Sequence, residues 1–336
     1  MDGGPLGRIL LASSALSLSA LSTGSTVPGR AEDLQRVESS DEAMGTTFSV
    51  VLYGTDRPNL EAAAAAAFDE VHRLDRLLSH YQPASEWSAV NRSAARGPVK
   101  ISTELFDLLS ACLTYSQQSN GAFDITVGPL MKVWGFYQGD GVLPRKVEVT
   151  SALSRVGYRH VTLDPVHQTV QFDRAGVELD PGGIGKGYAV DRMADVLKRH
   201  GVHSALISGG SSSLYGLGAP PHEAQGWPVT IRVPGDPDRT AAELFLRDTS
   251  LSTSGSYEKF FWAEGSIYSH IMDPRTGYPA RGTASVSVLA SRTMDSEAWA
   301  KPYFVNGRTW TAAHMAPTHR VFYCEDVKPP ACAWVK

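Results

Sequence analysis

Cysteine is scarce in this sequence, with three among 336 residues. Cys112, Cys324 and Cys332 match no zinc-ligand spacing, which excludes a metal-stapled fold. A dominant charge sign is also missing. The formal net charge is −4, so nothing draws the whole chain toward nucleic acid. An anionic ligand must then be held by a local site. The N-terminal apolar stretch ILLASSALSLSAL is too short and too serine-rich to span a bilayer. Neither the Walker A spacing nor the Rossmann fingerprint occurs in the chain's richest glycine turn.

The remaining composition is that of a soluble globular protein, 42% hydrophobic and 20% charged. The length allows one large domain or two medium ones. Arg8, the apolar run and the small residues after it, up to Glu32 and Asp33, resemble a secretory signal peptide with a weak basic region. Residues 1–31 are therefore expected to be a leader, residues 32–336 the folded domain, and the destination the periplasm. A disordered, uncleaved N-terminus is the alternative. No cysteine follows the run, so a lipid anchor is not expected. Cys324 and Cys332 are near enough in sequence to bridge in an oxidising compartment. Cys112 lies in a predicted helix and reads as a buried hydrophobe.

GTTFSVVLYG is rich in β-formers and predicts a strand. Residues 60–79 repeat Leu60, Ala64, Phe68, Val71, Leu74 and Leu78 at helical spacing. HYQPASEWSAVNRSAARG reads as a polar loop. A second helix is expected from Thr103, as its N-cap, to about Ser119. RHVTLDPVHQTVQFD reads as a hairpin, and a third helix is expected from Lys186 to His200. SALISGG, WPVTIRVP, ELFLRDTSLSTSG and ASVSVLAS add strands. The last helix contains DSEAWAKPYFVNG, where Pro302 implies a kink or a first-turn position. Strands and helices mix without βαβ repetition, and no internal repeat or linker is visible. The expected class is α+β in one compact unit.

The densest motif is VELDPGGIGKGYAVDRMADVL, a strand, a glycine turn with Lys186, and a helix. Backbone amides and a helix N-terminus there suit a phosphate, although a plain strand-to-helix turn explains the same residues equally well. ISGGSSSLYGLG and LSTSGSYEKFF are two more glycine- and hydroxyl-rich turns. GAFDITVGPLMKVWGF sets Asp124 among aromatics, where core packing is the commoner role. SHIMDPRTG places His270 before a DPRTG turn, as a general base or an ordinary loop residue.

Taken in order, AMGTTFSV, SHYQPASEWSAVNR, GAFDITVGPLMKVWGF, LDPGGIGKGYAVDRMADVL, LISGGSSSLYGLG, LSTSGSYEKFF, HIMDPRTGYP and DSEAWAKPYFVNG resemble the FAD:protein FMN transferases, the ApbE family. The resemblance runs from about residue 43 to 307. It implies an ApbE-like, T-fold-like α+β domain of two lobes with the ligand in the cleft between them. It implies FAD as substrate, Mg2+ as cofactor, and an exported acceptor protein bearing a Thr or Ser that receives FMN while AMP leaves. By motif, Met44 and Tyr81 correspond to flavin contacts, and Ala122, Phe123 and Asp124 to the nucleotide lining. Asp180 and Lys186 correspond to the FAD-contacting ends of the glycine turn, and Ile271 to a backbone contact with adenine or ribose. Gly183, through its carbonyl, corresponds to a metal ligand, and His270 to the histidine assisting the reaction.

The final motif departs from the family pattern D-A-x-[AS]-T-A. An ungapped alignment on YFVNG puts Glu297 at the aspartate position and Lys301 at the threonine position, with Asp295 as an alternative acid two residues away. Glutamate still offers hard oxygen, whereas an ammonium cannot ligate a metal. Two arrangements are open. Lys301 could swing away and leave Glu297, Gly183 and water to hold the ion. Alternatively, Lys301 could supply the positive charge with Glu297 as counterion. The competing functions are an FAD binder without transferase activity, an FAD pyrophosphatase, or a redox flavoprotein.

Overall fold

The computed structural model describes residues 34–139 and 141–336. The expected leader lies outside them. Eight strands build one antiparallel sheet that follows chain order: Gln35–Ala43, Thr46–Gly54, Ser204–Gly209, Ser213–Leu217, Thr249–Gly255, Thr283–Ala290, Arg320–Glu325 and Ala331–Trp334. Seven α-helices occur among the described residues: α1 (Arg57–Leu78), α2 (Glu86–Ser93), α3 (Thr103–Gln118), α4 (Gly128–Val133), α5 (Lys146–Leu153), α6 (Gly185–Arg199) and α7 (Thr293–His314).

Side-chain alternation gives the sheet two buried faces. Val50 and Leu52 join the core beneath α1 and α6, while Val51 points to the opposite face. That second face is covered by the hairpin Trp227–Val233 and Asp236–Leu246, through Trp227, Val229 and Ile231. Strand Thr283–Ala290 is buried at every position. Its Val286 and Val288 meet α7, and its Ala284 and Leu289 meet the hairpin side. The last two strands are bridged by a Cys324–Cys332 disulfide at directly paired positions, and Cys112 is free and buried.

The second lobe contains α2, α3 and a small sheet of Val99–Lys100, Thr169–Phe172 and Val161–Asp164. A further cluster joins α4 and α5 to the hairpin Phe260–Ala263 and Ser266–Ser269. Met44, Leu77 and Tyr188 pack against the cores of both lobes, so the seam between them is continuous.

Several local expectations are corrected. The first strand, QRVESSDEA, escapes pattern reading because only Val37 and Ala43 are buried along it. The segment read as a polar loop contains α2, capped by Ser85 and anchored by Trp87 and Val90. The cap of α3 is Ser102, whose side chain accepts from Leu105 N, and Thr103 is the first helical residue. The helix α1 begins earlier than expected, at Arg57, where Asp56 accepts from Asn59 N. Within α7 the backbone stays helical through Pro302, and the break comes at Gly307 with φ 83°. Glycine accepts that left-handed conformation at little cost, so the chain turns there.

Candidate functional site

The seam is lined by the turn before α6, the starts of α6 and α7, and the segment around residues 255–270. The short helix α2 fixes the strand entering that turn. Trp87 Nε1 and Asn91 Nδ2 both donate to the Leu179 carbonyl at 3.0 Å, and Leu179 N donates to Asn91 Oδ1 at 2.8 Å. Asp180 then caps the 3-10 turn Pro181–Gly183. One of its oxygens accepts from Gly182 N and the other from the Tyr137 hydroxyl, each at 2.6 Å. Asp180 therefore shapes the turn and uses its Gly182 amide.

Met44 occupies the two-residue turn between the first two strands, with φ 52° there and 71° at Gly45. Both values suit a type I′ turn, which favours Asn-Gly. A methionine in that conformation is strained by about 1 kcal/mol. Its Cε nevertheless reaches α6, lying 3.2 Å from the position a Cβ on Gly185 would occupy. The strained turn thus places the Met44 side chain beside the glycine-rich start of α6.

Phe123 and Lys301 flank Gly183: a Cβ added there would lie 3.3 Å from Phe123 Cε2 and 3.7 Å from Lys301 Cε. Ala122 and Asp124 are buried beside Phe123. The Asp124 carboxylate is engaged by the chain itself. It accepts from Thr126 N at 2.9 Å, Thr126 Oγ1 at 2.6 Å and Tyr158 N at 2.6 Å. Burial raises its pKa against those bonds. Asp124 thus holds the loop, and Phe123 is the member of the trio that meets Gly183.

Tyr81 is 66% exposed, and its ring lies 3.9 Å from that of His80, which in turn lies 4.7 Å from Tyr137. His80 and Tyr137 were not singled out by sequence. The aromatic Tyr81 drew attention, and the partners that pack on it become visible only in three dimensions. Ile271 is buried, and its carbonyl accepts from Ala280 N at 2.8 Å.

His270 is held by one carbonyl. Its backbone N donates to Lys259 O at 2.9 Å, and its Nδ1 lies 3.2 Å from the same oxygen. A carbonyl only accepts, so Nδ1 carries the proton and Nε2 keeps its lone pair. Burial pushes the pKa down to about 3. The bond to Lys259 O opposes this, while the charges of Lys259, Lys186 and Lys301 reinforce it. The imidazole is thus neutral at physiological pH but a weak base in the ligand-free chain, and an anion that offsets the three lysine charges would raise its affinity for a proton. Lys259 was also missed. Its motif, LSTSGSYEKFF, had been noted only for its hydroxyls.

The starts of α6 and α7 cap each other. Asp191 on α6 accepts from Thr293 N at 2.7 Å and from Met294 N at 3.0 Å. Glu297 on α7 accepts from Gly187 N at 2.5 Å. Each carboxylate fills amides that a helix N-terminus leaves unpaired. The contact requires glycine: a Cβ at Gly187 would lie 2.5 Å from the Thr293 carbonyl. Asp295 turns the other way and accepts a hydrogen bond from the Tyr115 hydroxyl. Of the two acids, Glu297 is therefore the one beside Lys301.

Lys301 Nζ donates to the Glu297 carbonyl at 3.0 Å and lies 3.8 Å from Glu297 Oε1. Burial lowers its pKa to about 8, with Glu297 opposing and Lys186 reinforcing the shift. The Lys301 ammonium thus sits against Glu297, with its Cε carbon close to Gly183, the other expected metal ligand. Among the described residues, no group of three or more His, Cys, Asp or Glu side chains could hold a metal ion. A divalent ion needs an open oxygen shell. Here one Glu297 oxygen is bonded to Gly187 N and the other faces an ammonium, so these residues do not fit the ion.

A two-lobed α+β fold whose seam gathers a glycine turn, the start of α6, three lysines and a neutral histidine suits a phosphate-bearing ligand. The comparisons narrow that class. The sequence pattern of the ApbE family matches residues 44–321, and the chain belongs to that family. It is 33% identical over 295 residues to the FAD:protein FMN transferase of Treponema pallidum, covering 83% of this chain and 81% of that protein. It is 32% identical over 260 residues to one from Klebsiella pneumoniae, covering 76% and 78%. Among solved structures, the ApbE protein of Thermotoga maritima superposes with TM-score 0.80 at 28% identity, over 89% of this chain and 96% of that one. The apo flavinyl transferase ApbE of Pseudomonas stutzeri gives TM-score 0.80 at 27% identity, over 90% and 95%.

Proposed function

We propose that this chain is an FAD:protein FMN transferase. The single observation that carries the reading is His270, fixed with a free Nε2 beside a lysine-lined glycine turn. The hydroxyl oxygen of an acceptor Thr or Ser forms a bond to the FMN phosphorus. The bond from that phosphorus to the AMP oxygen breaks, AMP leaves with the electron pair, and His270 Nε2 takes the hydroxyl proton. Such transfers depend on positioning and on charge neutralisation. Gly183 N, the start of α6 and the lysines supply both, while Phe123, Met44 and the Tyr81 cluster offer apolar surface for flat rings.

Export to the periplasm is part of the proposal. The N-terminal apolar run supports it, as does a Cys324–Cys332 bridge suited to an oxidising compartment. The acceptor is then an exported or membrane-bound redox protein that exposes a Thr or Ser. The test is incubation of the mature protein with FAD and an FMN-carrying acceptor domain, followed by flavin fluorescence in a denaturing gel. Fluorescence on the acceptor band is expected. AMP and free FMN without a labelled band would make the chain a pyrophosphatase, and intact bound FAD would make it a binder.

A further inference from the structure

Three lysines act on His270 at the seam, and none has its ammonium fully hydrogen-bonded by protein, although Lys301 faces Glu297. Lys301 has three N–H donors, of which one is used, by the Glu297 carbonyl. Glu297 Oε1, at 3.8 Å, is beyond hydrogen-bond distance. Lys186, in the first turn of α6, and Lys259, at the exposed rim, make no side-chain hydrogen bond or salt bridge among the described residues. The three charges feel one another. Partial burial and the repulsion of Lys186 lower the pKa of Lys259 against the opposing charges of Asp180 and Glu258, and all three lysines act on His270. Nearby Glu258 is attracted to Lys186 and Lys259 but bonds to neither. Clustered like charges with unused donors destabilise the free protein and are matched by a polyanion.

A pyrophosphate is such a polyanion, and a divalent ion is its ordinary counter-charge. Here that ion's place is filled. Lys301 comes from α7, fixed by the reciprocal caps of Asp191 and Glu297; its ammonium is held against Glu297 and its Cε lies close to Gly183. We propose that the Lys301 ammonium, with Lys186 and Lys259, takes the place of a divalent cation at the FAD pyrophosphate, so that FAD is bound and used without metal. This inference rests on FAD being the substrate. Lysine serves phosphate as a point charge and needs no coordination shell. Glu297, bonded to Gly187 and facing Lys301, acts as a positioning residue that sets where the ammonium points.

The experiment is titration of the purified protein with FAD, read by calorimetry, in EDTA and in excess magnesium. Wild-type affinity is expected to be equal in both. In Lys301→Thr, affinity in EDTA is expected to fall about tenfold or more. Magnesium is then expected to restore part of it, because a hydroxyl now stands beside Glu297 and Gly183. Wild-type affinity that collapses in EDTA overturns the proposal, and this comparison needs no variant to fold. Unchanged affinity of Lys301→Thr in EDTA overturns it too. Wild-type protein that binds no FAD under either condition removes the transferase reading itself, and the role of Lys301 with it.

Discussion

At the residue scale, the proposed chemistry rests on the environment of His270 and the turn at Met44. His270 faces the charges of Lys259, Lys186 and Lys301, and the Phe136 ring lies 6.5 Å away. Its folded pKa of about 3 lies below the ordinary value of 6.5. An unfolded chain then binds a proton that the folded one does not, so this group lowers stability as pH falls from about 6.5 toward 3. The ligand-free protein is expected to show no NMR inflection for His270 between about pH 5 and pH 8. An inflection near 6.5 would mean that the ring is not held as described. Met44→Asn relieves the left-handed turn but loses the methionine's packing, so a small change in thermal midpoint is expected together with weaker FAD binding. A variant that binds FAD as well as wild type would remove Met44 from the ligand's surroundings.

Helices and strands explain how the site is held, and also which parts of it a sequence can reveal. The reciprocal capping of α6 and α7 depends on Asp191, Glu297 and the close approach at Gly187. Asp191→Ala is expected to destabilise the fold by about 1–2 kcal/mol, read as a lower urea midpoint, because two buried amides at Thr293 and Met294 lose their acceptor. A shift within about 0.3 kcal/mol would show that water replaces the carboxylate. Long periodic segments such as α1 and α6 were legible, because period and burial coincide there. The helix α2 was not, since its eight residues bury Trp87, Ser88 and Val90 and leave a polar surface. Asp191 was likewise hidden: an acid inside an amphipathic helix looks solvated until α7 is laid against it. Pro302 suggested a kink, yet the break falls at Gly307, where a positive φ is available.

For the whole molecule, eight antiparallel strands in chain order form a rigid layer, and the excursions between them build the second lobe. Motif order in the sequence pointed to that architecture, and the superpositions with ApbE structures agree with it. The motifs could not reveal which side chains are consumed internally. Asp124 and Asp180 look like ligand contacts in sequence, and in the fold their oxygens also hold the chain's own loops. Conversely, Lys259 looked unremarkable until His270 was found on its carbonyl. The Cys324–Cys332 bridge ties the outermost strand to the sheet. Replacing both cysteines with serine is expected to cost about 2–3 kcal/mol, and reductant should lower the wild-type protein's stability to match. Insensitivity to reductant would indicate free thiols.

The most direct test of the central claim is intact-mass analysis of an acceptor domain after incubation with this protein and FAD in EDTA, with AMP quantified in the same tube. The account predicts an acceptor heavier by FMN less water, on one Thr or Ser, and one AMP per modified acceptor, with no metal added. An acceptor of unchanged mass in both EDTA and magnesium would contradict transfer, and modification that appears only with magnesium would contradict the role given to Lys301.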